Sequence, residues 1–69
     1  MPLSLMGVGT RHRIKGIMGD DAVKRRLGAL GFSVGVEIAI VSETGGNLII
    51  GIMDSRVAID RGLALRIQV

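Results

Sequence analysis

The sequence predicts a mostly β fold, a small antiparallel barrel of about five short strands with one short helix inserted at about residues 20–30. Three observations lead there. Val36, Ile38 and Ile40 recur at a period of two and are answered by Leu48, Ile50 and Ile52 across Thr44-Gly45-Gly46-Asn47, a sequence suited to a hairpin turn. One stretch behind a capping aspartate, Val23–Leu27–Leu30, has the i, i+4, i+7 spacing of a helix. Turn-forming glycines and aspartates divide the rest into short apolar runs, and 69 residues leave room for one core and no second domain.

The helix is the element around which the others are arranged. Asp20 or Asp21 can accept hydrogen bonds from the free amides of its first turn, and both acids suit the positive end of the helix dipole. The pairs Asp20–Lys24 and Asp21–Arg25 have the favourable i, i+4 order. Val23, Leu27 and Leu30 form a narrow apolar stripe, and Gly31 follows where a left-handed residue commonly closes a helix. Phe32, the one aromatic residue, is expected to plug the core, and Gly35 permits a tight turn into Val36–Val41.

Before the helix, Leu3 and Leu5 alternate with Ser4 as an edge segment, and Gly7 and Gly9 mark a turn. Thr10–Met18 is the first full strand, bent or bulged at Gly16 because Ile14 and Ile17 break strict alternation. After the hairpin turn, in which Asn47 tolerates a positive φ, Asn47–Met53 returns as a strand. Asp54-Ser55-Arg56 is a turn, Val57–Ile59 a short strand and Asp60-Arg61-Gly62 a one-turn connector. Leu63–Val69 closes the chain as a last strand, with Leu63, Leu65, Ile67 and Val69 inward; a bend would instead turn Ala64 inward. These elements fit an SH3-like barrel, with an open three- or four-stranded α+β sheet as the alternative.

Composition excludes several classes. Hydrophobic residues make up 48% of the chain, so it is not disordered. The absence of cysteine removes disulfide frameworks and thiolate metal sites. No apolar run approaches the roughly 18 residues of a membrane span, and the N-terminus lacks the charged start of a secretory signal. A cytoplasmic protein is therefore expected. The net charge of +3 is spread over Arg11-His12-Arg13, Lys15 and Lys24-Arg25-Arg26. Without Trp or Tyr to stack on bases, these read as a solvated basic surface rather than a nucleic-acid footprint.

No catalytic constellation can be assembled. His12 is the only histidine and has arginines on both sides; Asp54 and Asp60 sit at turns, where aspartate serves the backbone. The serines lack a histidine partner, and none of the eleven glycines falls into a phosphate-loop pattern. No enzyme activity, metal or cofactor is expected. His12, Glu37, Asp54 and Asp60 could supply hard ligands to Fe(II), but their spacing does not converge. Binding is better supported. The outward phase of the hairpin carries Ala39, Val41, Ile49 and Met53, with Gly51 between the last two. Either another part of the barrel covers this face, or it is an apolar patch that receives another protein or a second copy. A groove for proline-rich peptides would need several aromatic residues.

A resemblance gives these features a context. Pro2-Leu3-Ser4-Leu5, Gly9, Ile14 and Ile17 lead to Arg26-Leu27-Gly28-Ala29-Leu30-Gly31-Phe32. Gly35, Val36-Glu37-Ile38, Gly46-Asn47-Leu48, Ser55-Arg56-Val57-Ala58-Ile59-Asp60 and Ala64-Leu65-Arg66-Ile67-Gln68-Val69 follow in order. Over nearly its whole length the chain resembles the FeoA family, small cytosolic accessory proteins of the bacterial ferrous iron transport system. The resemblance implies an SH3-like barrel with an inserted helix, no enzymatic activity, and action through the FeoB-type transporter, whose cytoplasmic part holds a GTP-binding domain. Leu27, Leu30, Gly31, Phe32, Gly35 and Asn47 then count as structural motif residues. Similar domains end the iron-dependent repressors, where a helix-turn-helix precedes them; a stand-alone transporter accessory is the expectation here.

The candidate partner surface joins two regions. Lys24 and Arg25 project away from the apolar stripe toward acidic groups of the partner, and Val41, Ile49 and Met53 supply buried area. Arg26 flanks the stripe, where it can shield the core or join the contact. The alternatives are a homo-oligomeric interaction module, a stand-alone relative of the SH3-like domain of iron-dependent repressors and, more remotely, a nucleic-acid-binding barrel.

Overall fold

A computed structural model describes residues Met1–Val69. After a single 3-10 turn (Leu3–Leu5), strands β1 (Arg11–Arg13) and β2 (Gly16–Ile17) precede helix α1 (Asp21–Ala29). Strands β3 (Glu37–Thr44), β4 (Asn47–Ile52) and β5 (Ser55–Asp60) follow, then helix α2 (Arg61–Leu65) and β6 (Ile67–Gln68). The strands form two antiparallel sheets, one in the order β1-β3-β4-β5 and one of β2 with β6. The fold is the mostly β, SH3-like arrangement that the sequence predicts, with six strands and a second short helix.

The expected first strand is present as β1 and β2, two arms of one bent segment. The break falls at Ile14 and Lys15, just before Gly16, which itself pairs with Gln68 in β2–β6. There Ile14 N–H donates to Val36 O (2.9 Å) while Lys15 N–H donates to Gln68 O (2.7 Å). Successive amides thus serve different sheets, and the bend ties the two together while Ile14 stays buried.

Helix α1 begins where Asp20 accepts from Val23 N–H (3.0 Å), so Asp20 rather than Asp21 is the cap. Gly31, at φ +99°, ends it. Phe32 N–H donates to Leu27 O and Gly31 N–H to Gly28 O, each at 3.0 Å, the paired bonds of a Schellman closure. The closure sends Phe32 inward beside Leu27, and both are fully buried. Gly35, at φ +91°, then turns the chain into β3 as its N–H reaches Ile14 O (2.8 Å).

The core comprises twelve buried residues, all apolar, and Ile38, Ile40, Leu48, Ile50 and Ile52 come from the β3–β4 hairpin in the expected phase. No buried polar side-chain atom lacks a hydrogen-bond partner. In the turn of that hairpin the positive φ belongs to Gly45, while Asn47 already lies in β4 opposite Thr44.

Four expectations change. Leu3–Leu5 is a 3-10 turn rather than an extended edge; three residues per turn bury Leu3 and leave Leu5 exposed. Leu30 sits at the C-cap, beyond the last helical residue, so the stripe reaches the core at Leu27 but not at Leu30. The turn after β4 is only Met53 and Asp54, because Ile52 pairs with Ser55, and β5 is twice the expected length. Finally, Leu63–Leu65 is helical. Asp60 caps α2 by accepting from Leu63 N–H (2.8 Å), so a helical period buries Ala64 and exposes Leu65, and extended chain resumes at Ile67.

Unfolding in urea should separate these positions. Phe32→Ala should cost about 3–5 kcal/mol, much of the total stability of a domain this small, whereas Leu65→Ala should stay within about 0.5 kcal/mol. The two glycines of the helix end should respond in opposite directions. Gly28→Ala places a methyl in open space on a helical residue and should stabilise by about 0.5–1 kcal/mol. Gly31→Ala forces a side chain into a left-handed conformation and should destabilise by roughly 1–2 kcal/mol.

Candidate functional site

The outward face of the hairpin is shaped by one irregularity and one missing side chain. Ile40 pairs with Ile50, but the next pair is Ser42 with Ile49, so Val41 is the extra residue of a β-bulge. On β4, Gly51 lies opposite Ala39. A Cβ at Gly51 would stand 3.3 Å from Val41 Cγ2 and 3.9 Å from Ala39 Cβ. Its absence opens the floor of a shallow hollow of about 470 Å³, floored by Ala39, Val41 and Gly51.

The rim is polar and mixed in charge. Arg11 and Glu37 stand on one side, Asp54, Ser55 and Arg56 on the other. Glu37 carboxylate oxygens lie 3.5 Å from Arg11 and 3.8 Å from Arg13 across the β1–β3 pair. Both pairs are exposed and contribute little to stability, so Arg11 can exchange its partner at small cost.

Met53 overhangs the hollow. It is 80% exposed, the most exposed of the large apolar side chains, and the only residue other than glycine at positive φ (+52°). A left-handed conformation costs a residue with a Cβ roughly 1–2 kcal/mol. The tight Ile52↔Ser55 turn imposes it here and presents a flexible thioether to solvent.

The candidate residues divide between places. Val41 and Met53 line this hollow. Ile49 lies half-buried on the same face, between Ser42 and Ala58, but outside the hollow. Lys24 and Arg25 are exposed and border, with Asp21, a separate depression beside α1 that shares no residue with the first. Arg26 is exposed on α1, and its carbonyl oxygen receives Leu30 N–H. The helix residues and the hairpin residues therefore border different depressions.

The local sequence does not mark Arg11, Asp54 and Arg56 as rim residues. Their signal lay in strand register: once β5 begins at Ser55, Arg56 falls opposite Gly51. Elsewhere, Pro2, Met18 and Leu65 surround a smaller apolar depression beside Arg66 and Gln68, created by the helical turn at Leu65. His12 Nε2 stands 2.7 Å from Thr10 Oγ1, and no three His, Asp or Glu side chains are grouped as metal ligands. No helix is long and apolar enough to cross a membrane.

A six-stranded frame with a hydrophobic centre, short connecting helices and a shallow outer hollow defines a small SH3-like domain. Comparison with known proteins agrees. The FeoA domain family matches residues 1–69, and the chain belongs to that family. It is 31% identical over 68 residues to a Methanocaldococcus jannaschii protein named for Fe(2+) transport (transport protein A), covering 99% of this chain and 83% of the relative. Among solved structures it is similar to an iron uptake regulatory protein, FeoA (35% identity, TM-score 0.88, 96% of this chain and 88% of that one). It is also similar to Stenotrophomonas maltophilia FeoA, crystallised with zinc and described as a procaryotic SH3 domain protein. That match has 28% identity and a TM-score of 0.85 over 99% of this chain and 87% of the other. A manganese-dependent transcriptional repressor shares the fold alone, at 17% identity and TM-score 0.89 over 97% of this chain and 39% of the repressor.

Met53→Gly should isolate the role of the exposed thioether. Relief of the left-handed strain should raise stability by up to about 1 kcal/mol in thermal or urea unfolding, while any binding through the hollow weakens. A loss of stability would mean that Met53 packs on the hollow rather than standing free of it.

Proposed function

We propose that this protein is a non-enzymatic accessory of ferrous iron uptake that docks on the cytoplasmic part of a FeoB-type transporter and biases its assembly or activity. Family membership supports the transport context. The S. maltophilia relative is itself described as a candidate ferrous iron transport activating factor. The single observation that carries the docking reading is Met53, an 80% exposed apolar side chain held in a left-handed turn above the floor formed by Ala39, Val41 and Gly51. Such a residue contributes nothing to the core and supplies an adaptable anchor for a partner.

In this reading Met53 and Val41 form the apolar centre of the contact, with Ile49 beside them and Arg11 and Arg56 at the rim. Lys24 and Arg25 on α1, with Arg26 next to them, make a second, electrostatic contact with acidic groups of the same partner. The protein then changes its partner's behaviour only as far as it binds one state of the transporter more tightly than another.

Titration of isotope-labelled protein with the transporter's cytoplasmic GTP-binding domain, with and without nucleotide, tests this directly. Amide shifts should concentrate at Val41, Gly51 and Met53 and along the first turns of α1. The Lys24→Glu, Arg25→Glu double variant should keep its unfolding midpoint and weaken docking at least about five-fold at low salt, less at high salt. Shifts that spare both surfaces would overturn these faces as the contact, and none at all at high concentration would remove this domain as the receptor.

A further inference from the structure

A second surface on this chain is a strand edge. Strand β5 ends its sheet, with β4 on one side and no strand on the other. The ladder identifies which of its backbone groups are free. Arg61 N–H donates to Gly46 O (3.1 Å) around the Asn47↔Asp60 pair, which is therefore a pair that exchanges no hydrogen bonds of its own. Alternation then assigns Ser55, Val57 and Ile59 to bonding with β4. The N–H and C=O of Arg56 and Ala58, and the N–H of Asp60, point away from the sheet. Arg56 and Ala58 make none of the backbone bonds to turns or loops.

The edge also lacks the devices that usually protect one. β5 contains no proline or lysine, and its register with β4 runs without a bulge from Ser55 to Asp60. Its outward side chains are Arg56, Ala58 and Asp60, all exposed. Neither Arg56 nor Asp60 has an ion-pair partner within the chain.

Read along the strand, these three positions are positive, small and negative. That order is self-complementary when two copies run antiparallel. We infer that two copies of this chain pair edge to edge through β5 about a two-fold axis at Ala58, with Arg56 of each copy opposite Asp60 of the other. Ala58 exchanges its N–H and C=O bonds with Ala58 of the second copy, and its methyl lets the strands approach at the axis. Arg56 C=O accepts from Asp60 N–H of the second copy, and their side chains face each other on the outer surface.

Charge selects this register from its neighbours. Moving the axis to Val57 sets Asp60 against Asp54 of the second copy, a repulsive pair. Moving it to Ile59 puts Arg56 opposite Gly62 and leaves both charges unmatched. A foreign strand has no comparable reason to match the pattern, which is why a second copy is the occupant. One short strand pair forms a small interface, so the association is weak and depends on concentration.

Sedimentation equilibrium of the intact chain from about 10 μM to about 1 mM tests the pairing and should show a monomer–dimer equilibrium. Ala58→Pro removes an N–H that faces away from β4, a position where an edge strand tolerates proline. It should keep the far-UV circular dichroism and abolish the dimer. Arg56→Glu and Asp60→Lys should each weaken self-association at least ten-fold, yet an equimolar mixture should restore it, because Glu then faces Lys and Arg faces Asp. Asp60 also caps α2, so if Asp60→Lys does not fold, Ala58→Pro and Arg56→Glu decide alone. A monomer throughout the concentration range would overturn the inference. So would a dimer indifferent to Ala58→Pro, or an edge that broadens only when another protein is added.

Discussion

The structure depends on how α1 is stopped. Gly31, in a left-handed conformation, lets the chain reverse while Phe32 N–H and Gly31 N–H satisfy carbonyls of the last turn. The same reversal drives Phe32 into the centre of a core that contains no other aromatic side chain. Leu27 is the only fully buried residue of α1, so the helix is held mainly through this closure and through the Leu27–Phe32 neighbourhood. From Phe32 the chain needs only three residues to reach Gly35, whose N–H bonds Ile14 O. One helix terminus thus places the bend that joins the two sheets and sets the phase of β3.

Local signals of this kind made much of the fold legible. Asp20, Gly31 and the Thr44–Asn47 turn act through neighbours within a few residues, and the alternation of Ile38, Ile40, Leu48, Ile50 and Ile52 survives in the core unchanged. The misread segments lie where one apolar pattern suits two periods. Leu63-Ala64-Leu65 is too short for periodicity to choose between strand and helix, and the decision falls to Asp60 capping Leu63 N–H. Leu3-Ser4-Leu5 is settled by docking: Leu3 is buried in the core, and Arg61 bonds Ser4 O while pairing with Glu43. Neither tertiary contact leaves a mark in the local sequence.

The site was less legible than the fold for a related reason. Val41 and Met53 could be placed on an outward phase because alternation fixes which face a strand residue occupies. The depth of the hollow comes instead from a bulge and from the closeness of Gly51 to Val41, both of which require the register between two strands. The rim arginines come from still farther away, Arg11 from β1 and Arg56 from β5. A surface assembled from four strands shows in sequence only the residues of the hairpin that carries its floor. Lys24 and Arg25 were visible as a charged helix face, but that they border a different depression is a property of the whole domain.

Arg56 links the two surfaces. It borders the hollow beneath Met53 and also carries the positive charge of the β5 edge. Edge pairing at Ala58 would draw its guanidinium toward Asp60 of the second copy, away from a ligand in the hollow. A partner that claims Arg56 at the rim would therefore be bound less tightly by the paired form, and reciprocity requires the partner to disfavour pairing equally. Such coupling needs no change of fold, because the backbone of β5 keeps the same bonds to β4 in either case. In this arrangement the core built around Phe32 stays fixed, and one arginine side chain carries the competition between self-pairing and docking.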